Sequence, residues 1–549
     1  MTLPEALLIV APALPVIAAG AIAVARPDGE RSSWWAVRAA FVAFAAAIVV
    51  AVVVVVRGRF AAVVESGDGR ALVGLDATPV TVLLGLLTTG VGLVVQSFAG
   101  RNLQRDLRER RFFVLASLLT AATTSVAFAA TLGLLCAAWI VAGLALAGLV
   151  THRATWGPAR RASRRTLRSL WVGDGALLVA TLLAVVSVGT IDLRSPAEAA
   201  KELANASIPV LGGHVLAVVA VLLTVAGISR SALVPVHQWL PSTIAAPTPV
   251  SALLHAGVVN GAGMLLVRLA PVFGSSAAAT YLAFAAGAVT VCYATTVMLV
   301  RSDVKGNLAW STAGQMGFMT VQAAIGAFAA ALLHIVGHGM YKAALFLGAG
   351  SAVTGHLHHE QRPAPRVVAR SVRLGVALVV PTAAIWAAYL VFDPHLSTAA
   401  YVLVTVFAWG TAARAVEGWL RSAPFRPVPA VAAAAFGAAI GVFAYVGGLT
   451  AVETFAAPAL PAQVAEPVST AVLVATLAAI ALVVAVVWLA PGERMDRLRS
   501  RVYALVLTSA PVASRLTTRG SSTGVAPVPE SRRLRPGVEP AVEPATRAT

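Results

Sequence analysis

In the stretch ALLHIVGHGMYKAALFLGAG (331–350), His334, His338 and Lys342 recur at i, i+4 and i+8, which places all three along one face of a helix. A neutral imidazole both donates and accepts a hydrogen bond and titrates near neutrality, and an amine taken out of water can release its proton near neutral pH. The types and the spacing together suit a file that passes protons. The chain has only two other lysines, Lys201 and Lys305. The alternative role for such groups is to tie helices together by bonding to neighbouring backbone; three in register favour the relay.

A second passage, SRSALVPVHQWLPSTIAAPTPVSALLHAGVVNGAG (229–263), lies between long apolar segments and carries Pro235, Pro241, Pro247 and Pro249 beside Arg230, His237 and His255. Irregular backbone and ionisable groups at bilayer depth are tolerated only inside protein or along a hydrated cavity, so this stretch is expected to mark a pathway. His255 follows the PTP turn and is expected about one turn into its helix, in the same hydrated region as His237. Arg230 differs in kind: a guanidinium does not deprotonate in proteins, so it can set a field or gate an anion but cannot hand on a proton. Asp174, in LWVGDGALL, reads either as a counter-charge to a buried lysine or as a carboxylate at a helix end. The HLHH run (356, 358 and 359) has no Cys or acidic group beside it and reads as a loop rather than a metal site. The sequence holds no phosphate-cradling glycine loop, haem-type CxxCH, paired thiols or hydrolase triad signature, so no catalytic residue, metal or cofactor is assigned and the energy source is expected to be an ion gradient or a partner.

These groups must be positioned by membrane helices. A hydrophobic fraction of 58% with 12% charged residues over 549 positions excludes a soluble globule. The net charge of +18 would suggest nucleic acid in a soluble chain, but the arginines fall in short loops between apolar runs and report topology instead. Cys136 and Cys292 lie far apart in apolar runs and read as buried small hydrophobes. Apolar runs of bilayer length predict an all-α polytopic protein with about 15 crossings. Among them are 5–25, read as a retained first helix although AIAVA mimics a cleavage site, and 208–228, 249–271, 306–325, 327–353, 372–391 and 468–490. With the N-terminus outside, the outer loops hold only Arg57, Arg59, Arg70, Arg194 and Lys201, and the remaining loop bases fall inside, so the C-terminus is expected in the cytoplasm. The predicted organisation is three N-terminal helices (1–100), a core (101–420), two C-terminal helices (421–490), an amphipathic helix on the inner membrane surface (491–515) held by anionic lipid or by a partner, and a disordered tail (516–549).

Read together, SALVPVHQWLPSTIAAPTPVSALLHAG (231–257), VRSDVKGNLAWSTAGQMGFM (300–319) and HIVGHGMYKAALFLGAGSAV (334–353) resemble the antiporter-like membrane subunits of respiratory complex I, a family that includes NuoL-type chains and relatives in cation/proton antiporters. The HAGVVNG and QMGFM…HGMYKA wording and the short C-terminal end look most like the DabB branch, membrane subunits of inorganic-carbon uptake systems. The resemblance implies two inverted five-helix repeats with broken helices and a proton path along the mid-membrane plane of a bacterial cell membrane. It implies that His255, His334, His338 and Lys342 form the relay, that Asp303 and Lys305 are the family's loop pair, and that a DabA-like zinc-binding partner hydrates CO2. Three departures separate the chain from a complete NuoL-type pump: Trp139-Ile140 replaces a Trp-Glu pair, Arg230 replaces the broken-helix lysine, and 372–391 has no lysine. The alternatives that remain are a subunit of an NADH:quinone oxidoreductase and the large subunit of a multisubunit sodium/proton antiporter.

Overall fold

The computed structural model describes residues 1–478 except 68, 70, 154, 190, 210, 211, 302, 358–367, 394–398, 423–426 and 462–467, together with the isolated positions 497, 500, 501 and 504. In chain order the helices are α1 (Leu3–Ala25), α2 (Gly29–Arg57), α3 (Pro79–Asn102), α4 (Glu109–Phe128), α5 (Leu132–Val150), α6 (Gly157–Val188), α7 (Pro196–Asn205), α8 (Val215–Arg230), α9 (Trp239–Ser242), α10 (Thr248–Ala256), α11 (Gly261–Arg268), α12 (Ala270–Gly274), α13 (Ala277–Val300), α14 (Val304–Ala324), α15 (Phe328–Leu357), α16 (Arg370–Phe392), α17 (Ala399–Ser422) and α18 (Pro427–Ala456). Their starts are written in the sequence. Asp28, Thr131, Ser276 and Asp303 each accept a hydrogen bond from a backbone N–H of the first turn, and Thr78 and Thr81 cap α3 reciprocally ahead of Pro79 at its first position.

Eleven helices among the described residues are long and apolar enough to cross a membrane, so the chain is a polytopic helical membrane protein. Three more helices stand at expected crossings outside these eleven: α8 is short, α14 is polar, and α17 carries Arg414, Glu417 and Arg421. Of the fifteenth, 468–490, only a helical start at 470–478 is described. The surface helix and tail expected beyond 490 lie outside the described residues apart from the four isolated positions, as do His358 and His359 and the side chain of His356.

The structure corrects several local expectations. The segment after α2 is not a plain loop: β1 (Phe60–Glu65) and β2 (Ala71–Ala77) pair antiparallel, and isolated bridges join Leu75 to Ala129 and Thr131 to Asp192, laying a small β layer over helix ends. Arg194 pins it by donating to Glu65 at 2.6 Å and to Asp192. Cys136 is buried as expected, but Cys292 is exposed. The arginine-rich 158–168 stretch is helical rather than loop, which puts Asp174 in the middle of α6. Finally, α16 passes through Pro381 as one continuous helix, so the interruption seen here belongs to the first half of the core.

That interruption follows α8. Residues 231–238 are irregular, with Ala232 at φ +52°, and Trp239 and Leu240 beyond them are fully buried. The freed backbone groups find partners inside the protein. The Val234 N–H donates to Thr290 Oγ1 at 2.9 Å, the Ala262 N–H to Ser231 Oγ at 2.8 Å, and the Trp239 indole to the Ser229 carbonyl at 3.1 Å. Broken backbone at membrane depth is thus paid for by side chains: Thr290 from α13, Ser231 within the break and Trp239 just beyond it. A second break at Gly257, with a 3-10 turn at Val258–Asn260, separates α10 from α11.

Candidate functional site: a buried file of ionisable groups

The three ionisable residues of α15 each face a polar side chain of α14. His334 Nδ1 lies 3.0 Å from Gln322 Oε1, His338 Nδ1 lies 2.5 Å from Gln315 Oε1, and the Lys342 amine donates to Ser311 Oγ at 2.8 Å. The two helices are joined by a short turn at Gly326, whose φ of +84° suits a residue without Cβ, so they run antiparallel and the partners descend in order. Ser311, Gln315 and Gln322 are the residues that sequence reading missed. Their i, i+4, i+11 spacing puts them on one face of α14, and they are what makes α14 too polar for an ordinary crossing. The imidazole rings of His334 and His338 stand 5.9 Å apart between centroids.

Lys342 is fully buried, and His255 and His338 are nearly so. His255 does not sit one turn into its crossing; it is the second-last residue of α10, immediately before the Gly257 break, with its ring stacked 4.3 Å from Phe346 of α15. Phe346 follows His338 and Lys342 at i+8 and i+4 on α15, so His255 stacks at the end of the same helical row. The approach of α15 to α10 depends on Gly339, where a Cβ would fall 2.8 Å from the Ala256 carbonyl oxygen. His255, His334, His338 and Lys342 are therefore brought together. Ring nitrogens of His255 (Nδ1) and His338 (Nε2) are buried without a hydrogen-bond partner among the described residues. Such nitrogens suit water or a transferred proton.

On the far side, His334 and His338 form one wall of a cavity of about 1000 Å³ between α14, α15 and the α16–α18 helices. Its remaining lining is mostly apolar, with Tyr389 and Thr405 hydrogen-bonded to each other across it.

The other expected site residues fall elsewhere. His237 packs edge-on to Tyr293 at 5.1 Å and beside Trp310 at 5.8 Å, whereas His255 stacks on Phe346, so the two do not share surroundings. Asp174 is neither a lysine's counter-charge nor a helix-end carboxylate: it accepts from Arg230 at 2.7 Å, both residues being buried. The same guanidinium donates to the Trp139 carbonyl at 2.9 Å and stands 4.5 Å from the Trp139 ring. Asp303 and Lys305 are not paired: Asp303 caps α14 and binds Arg301 at 2.7 Å, while the Lys305 amine reaches the Ala246 carbonyl at 3.4 Å. No cluster of three potential metal ligands occurs among the described residues.

A many-helix membrane core with interrupted helices and an interior file of imidazoles and an amine defines an ion-translocating type of membrane protein. A family model described as NADH:quinone oxidoreductase/Mrp antiporter, TM, matches residues 129–413, more than half of the chain, and the chain belongs to that family. Among its relatives, the probable inorganic carbon transporter subunit DabB1 of Halothiobacillus neapolitanus is 33% identical over 53% of this chain and 51% of its own length. The probable inorganic carbon transporter subunit DabB of Bacillus subtilis is 34% identical over 50% and 53%. NADH-quinone oxidoreductase subunit L of Mycobacterium tuberculosis is 31% identical over 53% and 44%. These matches span about half of each relative. A solved Mrp complex from Dietzia sp. DQ12-45-1b shares the fold, with a TM-score of 0.60 and 22% identity over 92% of this chain and 61% of that one.

Proposed function

We propose that this chain is the proton-conducting membrane subunit of an energy-coupled inorganic-carbon uptake complex. The observation that carries the proton path is the pairing of His334, His338 and Lys342 with Gln322, Gln315 and Ser311 inside the protein, with His255 stacked on Phe346 at the end of the same row. Among the described residues each α15 group has one neutral side-chain hydrogen-bonding partner and no carboxylate partner, so no fixed anion there locks a proton in place along the file. Arg230, held by Asp174, contributes a fixed charge pair beside the broken helix and carries no proton itself. Asp303 and Lys305 set the inner end of α14. The assignment to inorganic carbon is supported by the names of the DabB relatives. By the same resemblance the partner is a DabA-like zinc-binding protein that hydrates CO2, and this chain supplies the coupling to proton motive force. The loop arginines favour an N-terminus outside and a C-terminus inside a bacterial cell membrane.

The subunit L relatives and the Mrp fold favour a second reading, a redox-linked or cation/proton antiporter subunit. The test is growth in air of a host that needs high CO2. Co-expression with the DabA-like partner restores growth and this chain alone does not. Growth restored by the chain alone, or co-purification with NADH-dehydrogenase or small antiporter subunits, contradicts the proposal.

A further inference from the structure

Helix α6 has 32 residues, about 48 Å of helix, against a hydrocarbon core of about 30 Å. Its excess lies at the N-terminal end, where Arg161, Arg164, Arg165 and Arg168 are all exposed and none has a hydrogen-bond or ion-pair partner among the described residues. The opposite side of the same segment is occupied. Ala159, Ala162 and Thr166 are buried there, and Ser163 Oγ donates to the Ala147 carbonyl at 3.0 Å, near the end of α5. The segment therefore does not reach freely into solvent but lies along the protein at the depth where α5 ends.

The arginine face has a defined continuation. Seven residues are nearly two helical turns, so Arg164 is followed on its own face by Trp171, Leu178 and Val185, and Arg165 by Val172 and Val179. All five of these apolar residues are exposed, Trp171 at 63%. In a membrane-spanning helix an exposed apolar stripe meets lipid, and a Trp at its end marks the interface. The four guanidinium groups thus project from the lipid-facing side of α6, about one to three turns beyond that Trp, at headgroup depth. A soluble partner would have to enter the bilayer to reach them.

We propose that this face of α6 is a binding site for anionic phospholipid, with phosphate oxygens held between the Arg161, Arg164, Arg165 and Arg168 guanidinium groups. Guanidinium forks match phosphate in a bidentate fashion, and residues at i, i+1 and i+4 let two helical rows close on one headgroup. The bound lipid fixes the axial position of α6, and with it Asp174, which lies on the same helix and holds Arg230.

The test counts lipids retained on the purified full chain by native mass spectrometry, with phosphatidylglycerol and phosphatidylcholine offered in competition. The fourfold Arg→Gln variant at 161, 164, 165 and 168 should lose preference for phosphatidylglycerol by roughly 600-fold, since each base near an anionic surface is worth about a fivefold factor. The fourfold Arg→Lys variant, which keeps the charges but not the forks, should fall between the parent and the Arg→Gln variant, and Arg101→Gln/Arg105→Gln/Arg110→Gln, where α3 gives way to α4, should keep all of it. Inorganic phosphate at the same concentration should not displace the lipid. An unchanged preference in the Arg→Gln variant overturns the proposal. So does an equal loss in the 101/105/110 control, or displacement by free phosphate.

Discussion

Removing the carboxylate of Asp174 tests the account of the broken helix. Asp174 and Arg230 are 8% and 2% exposed, and the salt bridge between them spans 2.7 Å. Two buried charges that satisfy each other can often be exchanged for apolar groups at little cost, but removing one leaves the other stranded, at about 3–5 kcal/mol. In Asp174→Asn the guanidinium keeps the Trp139 carbonyl at 2.9 Å and the Trp139 ring at 4.5 Å, which offset part of the loss. The expected destabilisation is therefore near the lower end, about 3 kcal/mol. Arg230→Met should cost a similar amount, whereas the double variant Asp174→Leu/Arg230→Met should return to within about 1 kcal/mol of the parent if the cavity repacks. Unfolding in mixed micelles, followed by tryptophan fluorescence, gives the stabilities of the parent and the three variants. A cost below about 1 kcal/mol for Asp174→Asn, or a double variant worse than either single one, refutes the reasoning.

Three further outcomes follow from local geometry. Gly339→Ala puts a Cβ against the Ala256 backbone oxygen, which cannot move aside; it should cost about 1–3 kcal/mol and cut transport, while Gly337→Ala, whose Cβ meets nothing within 4 Å, should retain both, as unfolding and uptake assays on the pair would show. His152, in the loop between α5 and α6, lies with Nε2 3.2 Å from Asp106 Oδ1, and burial pushes its imidazole below the usual range. It is neutral in the folded chain above the unfolded value near pH 6.5, so stability is full there and falls as pH drops toward the folded value, with a slope of at most about 1.4 kcal/mol per pH unit. His152→Gln should flatten that slope in a thermal-stability series from pH 7 to 5, and an unchanged slope contradicts the assignment. Gln315→Leu leaves His338 Nδ1 without its partner and should lower transport more than Gln322→Leu, because His338 is the more buried of the two imidazoles.

The crossings were legible because a bilayer demands long apolar runs, and the file on α15 was legible because i, i+4, i+8 spacing on a helix has one geometric meaning. The prolines announced the break, but the place of His255 did not follow from them: the helix that starts at Thr248 stops again at Gly257, and a second interruption inside an apolar run leaves little trace in hydropathy. The partner of Asp174 was hidden because 56 residues separate it from Arg230, and nothing in either neighbourhood encodes the packing of α6 on α8. The polar stripe on α14 was visible as an excess of Ser and Gln; its meaning required knowing which face α15 covers. The β layer escaped notice because its strands are six and seven residues long and joined to helix ends by bridges distant in sequence.

The most direct test of the central claim is the rate of proton-driven bicarbonate uptake by the assembled complex carrying Lys342→Arg, measured beside Lys342→Ala. Arginine keeps the positive charge and can still reach Ser311, but it does not give up a proton. If protons pass through this position, Lys342→Arg assembles normally and is nearly as inactive as Lys342→Ala. If Lys342→Arg transports at the parent rate, residue 342 supplies charge alone and the file along α15 is not a proton path.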